Sequence, residues 1–252
     1  MQDMKPKNEN HSSSVFQRTE MLLGKDAVAA LSKCRVAVFG VGGVGGYVVE
    51  VLARSGVGAI DIYDNDVVAP SNINRQIVAT MSTIGRHKVD VAAERIHDIN
   101  PACQVRGFKM FYVVANAHEV DLKQYDYVVD CIDTVSAKME LVRRCTRLNV
   151  PIICSMGAAN KIDASAFRVA DISETDMDPL ARIMRKKLRK EGIVHFKCVF
   201  SKEQPRKPLI EGECKASGKR TVPASNAWVP AAAGLVLGGE VVLNLIEAMT
   251  EK

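Results

Sequence analysis

A glycine-rich turn between an apolar segment and a helical segment limits the possible folds more than any other feature of this chain. The turn reads Gly40-Val-Gly-Gly-Val-Gly-Gly46 and follows a run rich in β-branched residues. Gly40 permits a tight turn, Gly42 lets a phosphate approach the backbone, and Gly45 lets the strand and the helix pack closely. The start of the helix offers free N–H groups and a partial positive charge to an anion. The turn therefore predicts a nucleotide site in a βαβ unit.

Strands and helices alternate along the first part of the chain. Apolar strands are predicted at residues 35–39, 60–63, 104–108, 127–130 and 152–154, and helices at residues 18–31, 47–55, 89–99 and 137–148. This alternation indicates an α/β fold of the Rossmann type, an open, mostly parallel sheet with helices on both faces. We expect a polar tail at residues 1–14 and a single domain at 15–252, with a Rossmann core at about 18–157, a basic insertion at about 182–220 and an apolar C-terminal helix at about 227–249.

The composition is that of a globular protein from a reducing compartment. Of the 252 residues, 47% are hydrophobic and 25% are charged, which is enough for a sizeable core. The seven cysteines are scattered and never occur as Cys-x-x-Cys, which argues against a disulfide framework or a zinc ribbon. No apolar segment follows a basic start, so no signal peptide is predicted and we expect a cytoplasmic protein.

The apolar segment at residues 227–246 has the length of a membrane span. Gly234 and Gly238 stand at a spacing that lets helices approach closely. Glu240 interrupts the segment, and a carboxylate in hydrocarbon costs several kcal/mol. We therefore predict a buried core or dimer helix, with membrane association as the alternative.

Polar residues after the second and fourth strands favour ATP over a dinucleotide. Asp64 stands where Rossmann-type sheets present a carboxylate to ribose hydroxyls. Arg75 and Lys88 follow, and a triphosphate needs such additional cations, although a single Arg or Lys is more often solvated surface charge. Asp133 is the candidate ligand of a hard cation, since Asp130 is expected to accept backbone hydrogen bonds in the turn. We expect these residues to form one crevice that gathers enough positive charge to let a carboxylate attack a nucleoside triphosphate.

The candidate nucleotide-binding residues are Gly40, Gly42, Gly43, Gly45, Asp64, Asp66, Asn72, Arg75, Gln76 and Lys88. Together with Asp130-x-x-Asp133 they resemble, in order and spacing, the ThiF/MoeB family of adenylating enzymes, to which the ubiquitin-activating enzymes are related. The resemblance covers residues 18–157. It implies that a substrate carboxylate attacks the α-phosphate of ATP, releasing pyrophosphate and leaving an acyl-adenylate.

The same resemblance implies roles for individual residues. Asp64 would hold the ribose, and Asp133 would hold Mg²⁺. Arg18 resembles an arginine that the family supplies across a homodimer interface to the neighbouring ATP. The residues implied to hold the phosphates are Asn72, Arg75 and Lys88.

Within the family, the chain most resembles the tRNA threonylcarbamoyladenosine dehydratases. The paired zinc cysteines of sulfur-carrier activators are missing, and Cys198-Val-Phe-Ser201-x-Glu203 matches this branch loosely. The branch implies adenylation of the threonyl carboxylate of a modified tRNA adenosine, after which the carbamoyl group closes a ring with loss of water. Two interpretations of Cys198 stay open: a nucleophile that forms a transient thioester, and a buried small hydrophobe.

A cationic segment agrees with a tRNA substrate. Residues 182–220 contain 13 Lys and Arg against 4 Glu, a balance of 13 − 4 = +9, whereas the whole chain carries +5. A phosphate backbone is attracted to such a concentration through counterion release, although charge runs are commonly just exposed surface.

Three other functions stay open. They are activation of a ubiquitin-like sulfur carrier, a nucleotide-binding scaffold without turnover, and NAD-dependent reduction, for which the sequence has no Tyr-x-x-x-Lys or comparable pair. A monovalent cation and a cysteine-desulfurase or sulfur-relay partner are further possibilities that the sequence leaves undecided.

Overall fold

The computed structural model describes residues 14–210 and 223–250, so most of the predicted polar tail and residues 211–220 of the predicted basic insertion lie outside the described residues. The helices in this part are α1 (Gln17–Leu23), α2 (Lys25–Leu31), α3 (Gly45–Arg54), α4 (Lys88–Ile99), α5 (Val135–Leu148), α6 (Pro179–Arg189) and α7 (Val229–Thr250). The strands are β1 (Arg35–Phe39), β2 (Ala59–Tyr63), β3 (Gln104–Phe108), β4 (Tyr127–Asp130), β5 (Ile152–Ser155), β6 (Phe167–Asp171) and β7 (Lys197–Ser201).

The strands form one sheet in the order β3-β2-β1-β4-β5-β7-β6. All neighbours are parallel except β6, which runs antiparallel to β7 at the edge. After Arg35, β1 is apolar because both of its faces are buried: Val36 and Val38 pack with α3, α4 and α7, whereas Ala37 and Phe39 pack with α5 and α6. The predicted Rossmann-like α/β fold with helices on both faces is confirmed.

The strand order reverses at β1, with β2 and β3 on one side and β4 and β5 on the other. Open α/β sheets bind ligands at such a reversal, beyond the carboxyl ends of the strands. The loops after β1 and β4 meet at this point, since the Cys131 N–H donates to the Phe39 carbonyl at 2.8 Å. The sheet therefore brings the glycine turn and the residues after β4 to one place.

The structure differs from the sequence expectations in two places. The helix predicted at residues 18–31 is divided into α1 and α2 at Gly24, whose φ of 95° is left-handed. In addition, β6, α6 and β7 follow residue 157, and β7 lies within the predicted basic insertion, between β5 and β6 in the sheet. The buried part of β7 is only Cys198 to Ser201, which is too short for a clear periodic signal.

Helix α7 packs on α3 through two of its three glycines. A Cβ at Gly234 would lie 2.4 Å from the Val44 carbonyl oxygen, and a Cβ at Gly238 would lie 2.8 Å from Val51 Cβ. The segment Val229–Met249 is long and apolar enough to span a membrane, but just over half of its most apolar stretch is buried inside the fold. The apolar C-terminal helix is present where the sequence predicts it, and its small residues serve packing within the chain.

Replacing Gly234 by Ala is expected to lower the free energy of unfolding by about 1–2 kcal/mol, because overpacking a tight contact costs more than the gain in helix propensity. Gly239→Ala on the same helix is the matched control, since a Cβ there meets nothing within 4 Å. It should raise stability by about 0.5–1 kcal/mol. Chemical denaturation measures both, and equal changes in the two variants would contradict the close contact of α7 with α3.

Candidate functional site

A cleft of about 400 Å³ opens beyond the carboxyl ends of β1, β2 and β4, at the reversal of strand order. Most of the residues that the sequence singled out line it. They are Gly40, Gly42, Gly43, Asp64, Asp66, Asn72, Arg75, Gln76, Lys88 and Asp133. Gly45, Arg18 and Cys198 do not line the cleft in the described part of the chain.

The glycine turn has two positions where a side chain would clash and one where it would not. Gly40 has a φ of 89°, and a Cβ there would lie 2.9 Å from the Cys131 carbonyl oxygen. A Cβ at Gly45 would lie 1.8 Å from the Gly40 carbonyl oxygen, whereas a Cβ at Gly42 would meet only Gln76 Nε2, at 3.8 Å. Gly40 and Gly45 therefore satisfy packing within the chain, and Gly42 keeps the cleft open.

Asp64 connects the glycine turn with the loop after β2. One of its carboxylate oxygens accepts the Val41 N–H at 2.7 Å, and the other accepts the Asp66 N–H at 2.8 Å. Each oxygen has a second lone pair, so the carboxylate can also accept a hydroxyl from a ligand. The predicted contact with ribose is compatible with this geometry and stays a prediction.

Two cations are held in the cleft by hydrogen bonds. Lys88 is 4% exposed at the start of α4, and its Nζ donates to Asp66 Oδ2 at 2.7 Å. The Arg75 guanidinium donates to the Ser71 carbonyl at 2.9 Å and to Asn74 Oδ1 at 2.8 Å. Both side chains thus have fixed partners and line the cleft instead of extending into solvent on the far side.

The cleft nevertheless contains more carboxylates than cations. The positive residues are Arg75 and Lys88, and the negative residues are Asp64, Asp66 and Asp133, so the described lining residues carry a formal charge of 2 − 3 = −1. Arg75 and Lys88 thus both face the predicted crevice, but the described lining residues together do not carry a net positive charge. The strand ends that bring the cations together also carry the aspartates that fix the loops. A prediction based only on the cations leaves out the charge of these aspartates.

Gln76 has a buried side-chain oxygen at the cleft that accepts no hydrogen bond from a described residue. Its side chain lies beside Gly42 and is 7% exposed, and its Oε1 has no hydrogen-bond partner among the described atoms. A buried carbonyl oxygen without a donor costs free energy, typically about 1–3 kcal/mol. The site therefore has hydrogen-bonding capacity that a ligand or its bound water can satisfy.

The two aspartates after β4 have different environments. Asp130 is fully buried, pairs with Lys138 Nζ at 2.9 Å and accepts the Ile132 N–H at 3.0 Å. Asp133 is exposed at the cleft. The described residues contain no group of three or more His, Cys, Asp or Glu that could hold a metal by itself. The donor set fits Mg²⁺ all the same, because this ion commonly takes one or two carboxylates and completes its coordination with phosphate oxygens and water.

Cys198 does not meet the requirements of a nucleophile, and its predicted catalytic role is corrected here. The side chain lies on β7, is fully buried and is absent from the cleft lining. Burial raises the pKa of the Cys198 thiol to about 12, so the reactive thiolate is scarce at neutral pH. The alternative interpretation, a small buried hydrophobe, agrees with the structure.

Arg18 lies on α1 and is exposed. The single chain does not bring it to the cleft lining. Its predicted contact with ATP therefore requires a second subunit and stays a prediction.

The apolar and small residues of the cleft wall were not predicted from the sequence. The members of this set are Met110, Phe111, Tyr112, Ala158, Ala159, Pro223, Ser225 and Pro230. The first three follow β3 directly, and the carboxyl ends of parallel strands share one edge of the sheet, so their position was available as a signal. Apolar and aromatic walls of this kind suit the base of a nucleotide.

The comparisons with known proteins agree with this geometry. Residues 16–251 match the ThiF family. The chain belongs to the ThiF family. It is 45% identical over 240 residues to the tRNA threonylcarbamoyladenosine dehydratase of Bacillus subtilis (strain 168), which covers 92% of this chain and 94% of the relative. Crystal structures of the E. coli dehydratase TcdA with ATP and with AMP are similar, with TM-scores of 0.83 and 0.85, 32% identity, and coverage of 94% of this chain and 96% of TcdA.

The open position at Gly42 gives a test of nucleotide binding in this ThiF-family cleft. Gly42→Ala is expected to leave the free energy of unfolding within about 0.5 kcal/mol of wild type. It should weaken ATP binding at least about tenfold, or about 1.4 kcal/mol, because the methyl group enters the space that a phosphate would occupy.

Titration calorimetry and denaturation measure the two effects. Gly45→Ala is the matched comparison, and it should lose stability because of its clash with the Gly40 carbonyl. A stable Gly42→Ala variant with wild-type ATP affinity would show that phosphates do not approach this turn.

Proposed function

We propose that this chain is a tRNA threonylcarbamoyladenosine dehydratase, which uses ATP to adenylate a carboxylate on tRNA. The observation that carries the proposal is that the glycine turn, Arg75, Lys88 and Asp133 line one cleft at the reversal of strand order. The similarity to dehydratases over nearly their whole length supports tRNA as the substrate.

The reaction has two chemical steps. In the first, an oxygen of the threonyl carboxylate forms a bond to the α-phosphorus of ATP, the bond from that phosphorus to pyrophosphate breaks, and an acyl-adenylate results. In the second, the carbamoyl group of the same side chain forms a bond to the acyl carbon, loses its proton and expels AMP. The carboxylate oxygen leaves with AMP, so the tRNA loses the elements of water.

The residues of the cleft favour the first step by orienting two anions and reducing their repulsion. N–H groups of the glycine turn that leads into α3 donate to phosphate oxygens, and Arg75 and Lys88 neutralise charge on the leaving pyrophosphate. Asp64 orients the ribose, and Met110 and Phe111 contact the base. Asp133 would hold Mg²⁺, which supplies charge neutralisation on the phosphates when bound.

The remaining expectations from the resemblance stay proposals. Those are a cytoplasmic location, a monovalent cation and a sulfur-relay partner. None of the described contacts depends on them.

Lys88→Met is expected to lower tRNA-dependent exchange of pyrophosphate into ATP by about 100-fold or more, the usual cost of removing a donor to developing charge. The fold should survive because the partner carboxylate, Asp66, is 66% exposed and can be solvated once the cation is gone. Lys123→Met, at an exposed lysine outside the cleft, is the control and should exchange at the wild-type rate.

The same assay separates the alternatives. Wild-type exchange that requires a small carrier protein in place of tRNA would indicate sulfur-carrier activation. ATP binding without pyrophosphate release under either condition would indicate a scaffold.

We also propose a homodimer in which Arg18 reaches the partner's cleft. Helix α1, which carries Arg18, exposes Met21 and Leu22 by 80% and 83%. Large apolar side chains with such exposure are expected to be covered in an assembly. The formal charge of −1 in the single-chain cleft supports a further cation from a second subunit.

Mixing Arg18→Ala and Lys88→Ala subunits tests this arrangement. Each homodimer should be inactive, but a mixed dimer regains one site with both residues, so random mixing should restore about a quarter of the wild-type activity. Pyrophosphate release after co-refolding measures the recovery. If Arg18 acted within its own chain, no site in the mixture would be complete and activity would stay absent.

A further inference from the structure

One face of α6 is cationic. Five side chains surround a surface depression of about 360 Å³; they are Arg182, Arg185, Lys186, Arg189 and Lys190. The opposite face is buried in the core through Ala181, Met184 and Leu188. Four of the five cations are exposed and form no ion pair with a described residue; they are Arg182, Lys186, Arg189 and Lys190. This face therefore presents unneutralised charge at regular helical spacing.

The residue that caps the start of helix α6 also forms hydrogen bonds with the loop that lines the cleft. Asp178 caps the helix, since its Oδ1 accepts the N–H groups of Leu180 at 2.9 Å and Ala181 at 3.0 Å. Its Oδ2 accepts the Gly157 N–H at 3.1 Å and a hydrogen bond from Lys161 Nζ at 3.0 Å. One carboxylate thus joins the start of the cationic helix to the loop after β5.

That loop forms part of the nucleotide cleft. Ala158 and Ala159 line the cleft between the two points that Asp178 holds. Lys161 Nζ also donates to the Gly157 carbonyl at 2.5 Å, which closes the loop on itself. The side chains of Lys161 and Asp178 are 1% and 0% exposed. Desolvation offsets much of the attraction in a buried ion pair such as Lys161–Asp178, so such a pair contributes more to defined geometry than to net stability.

The same loop is held from its other side by the segment that leads into α7. The Asn160 N–H and Oδ1 bond to the backbone of Ala224, both at 2.8 Å, and Asn226 Nδ2 donates to the Lys161 carbonyl at 2.8 Å. Two independent sets of hydrogen bonds therefore fix the wall of the cleft.

We propose that the cationic face of α6 is the docking surface for the phosphate backbone of the tRNA substrate, and that Lys161 and Asp178 are positioning residues that align this surface with the nucleotide cleft. The inference rests on the proposed function. With a rise of about 1.5 Å per residue, the cations lie about 6–18 Å along the helix from Asp178. The nearest cation of the face is thus about one helical turn from the residue that holds the loop of the cleft wall.

The docking surface is tested by reversing two of its charges. Lys186→Glu with Arg189→Glu should weaken tRNA binding at least about tenfold near 0.15 M salt and reduce the slope of log K against log salt by about 2. Affinity for ATP should not change. Lys33→Glu with Lys123→Glu is the matched control, because it makes the same change in net charge at exposed lysines elsewhere.

The positioning role is tested with Asp178→Asn. Asn caps a helix as well as Asp does, but its amide group would turn a donor toward the donors of Gly157 and Lys161. The variant should bind ATP and tRNA within about threefold of wild type while kcat for tRNA-dependent pyrophosphate release falls at least about tenfold. Lys197→Met, which breaks the Lys197–Glu240 pair outside the cleft lining, is the control and should keep its kcat.

The double variant Asp178→Asn with Lys161→Met separates positioning from stability, because it leaves no unpaired buried charge. Its melting temperature should recover relative to Asp178→Asn, whereas its kcat should stay low. If Asp178→Asn does not fold, the double variant is measured in its place. Recovery of kcat in the double variant, or unchanged tRNA affinity after the charge reversal, would overturn the inference. A wild-type enzyme that releases no pyrophosphate with tRNA would instead overturn the proposed function.

Discussion

The site depends on a contact that only glycine permits, between the start of α3 and the carbonyl of Gly40. A Cβ at Gly45 would lie 1.8 Å from that oxygen, so any side chain would push the helix away from β1. With glycine, α3 starts directly behind the turn, whose residues Gly42, Gly43 and Val44 line the cleft. Asp64 fixes the same turn from the β2 side through the Val41 N–H. The two contacts together preorganise an anion site before any ligand binds.

The sequence predicted the parts of the fold and the site that follow from local patterns. The glycine turn, the strands beside it and the polar residues after β2 and β4 could be located because carboxyl ends of parallel strands share one edge. β7 could not, since its place between β5 and β6 depends on pairing with residues far along the chain, such as Cys154 with Cys198. The apolar cleft wall carries no motif: Met110 could have been located only by its place after β3, and Pro230, at the start of α7, is identified only by the folded chain.

Cys198 illustrates how neighbours in sequence mislead. A cation beside Cys198 in the sequence would suggest a lowered thiol pKa, yet the polar atoms of its neighbours His195 and Lys197 contact Asp171 and Glu240 instead. Successive side chains on a strand point to opposite faces, so Lys197 and Cys198 cannot both face the same group. A buried thiol also agrees with the proposed chemistry. The substrate carries its own nucleophile in the carbamoyl group, and an acyl-adenylate that closes a ring within one molecule needs no thioester intermediate.

The formal charge of the described cleft supports the proposed roles of a divalent cation and of a second subunit. A carboxylate and a triphosphate repel each other, and the described lining residues, at −1, add to that repulsion rather than offset it. The partial charge at the start of α3 offsets about half an elementary charge. The remaining negative charge has to be neutralised by cations that the aspartates bind or by charged groups that other molecules supply. Asp133 is placed for a divalent cation, and an arginine from a second subunit would add a charge with no carboxylate of its own in the cleft. The aspartates that make the empty cleft negative are thus the residues that let it accept cations together with its nucleotide.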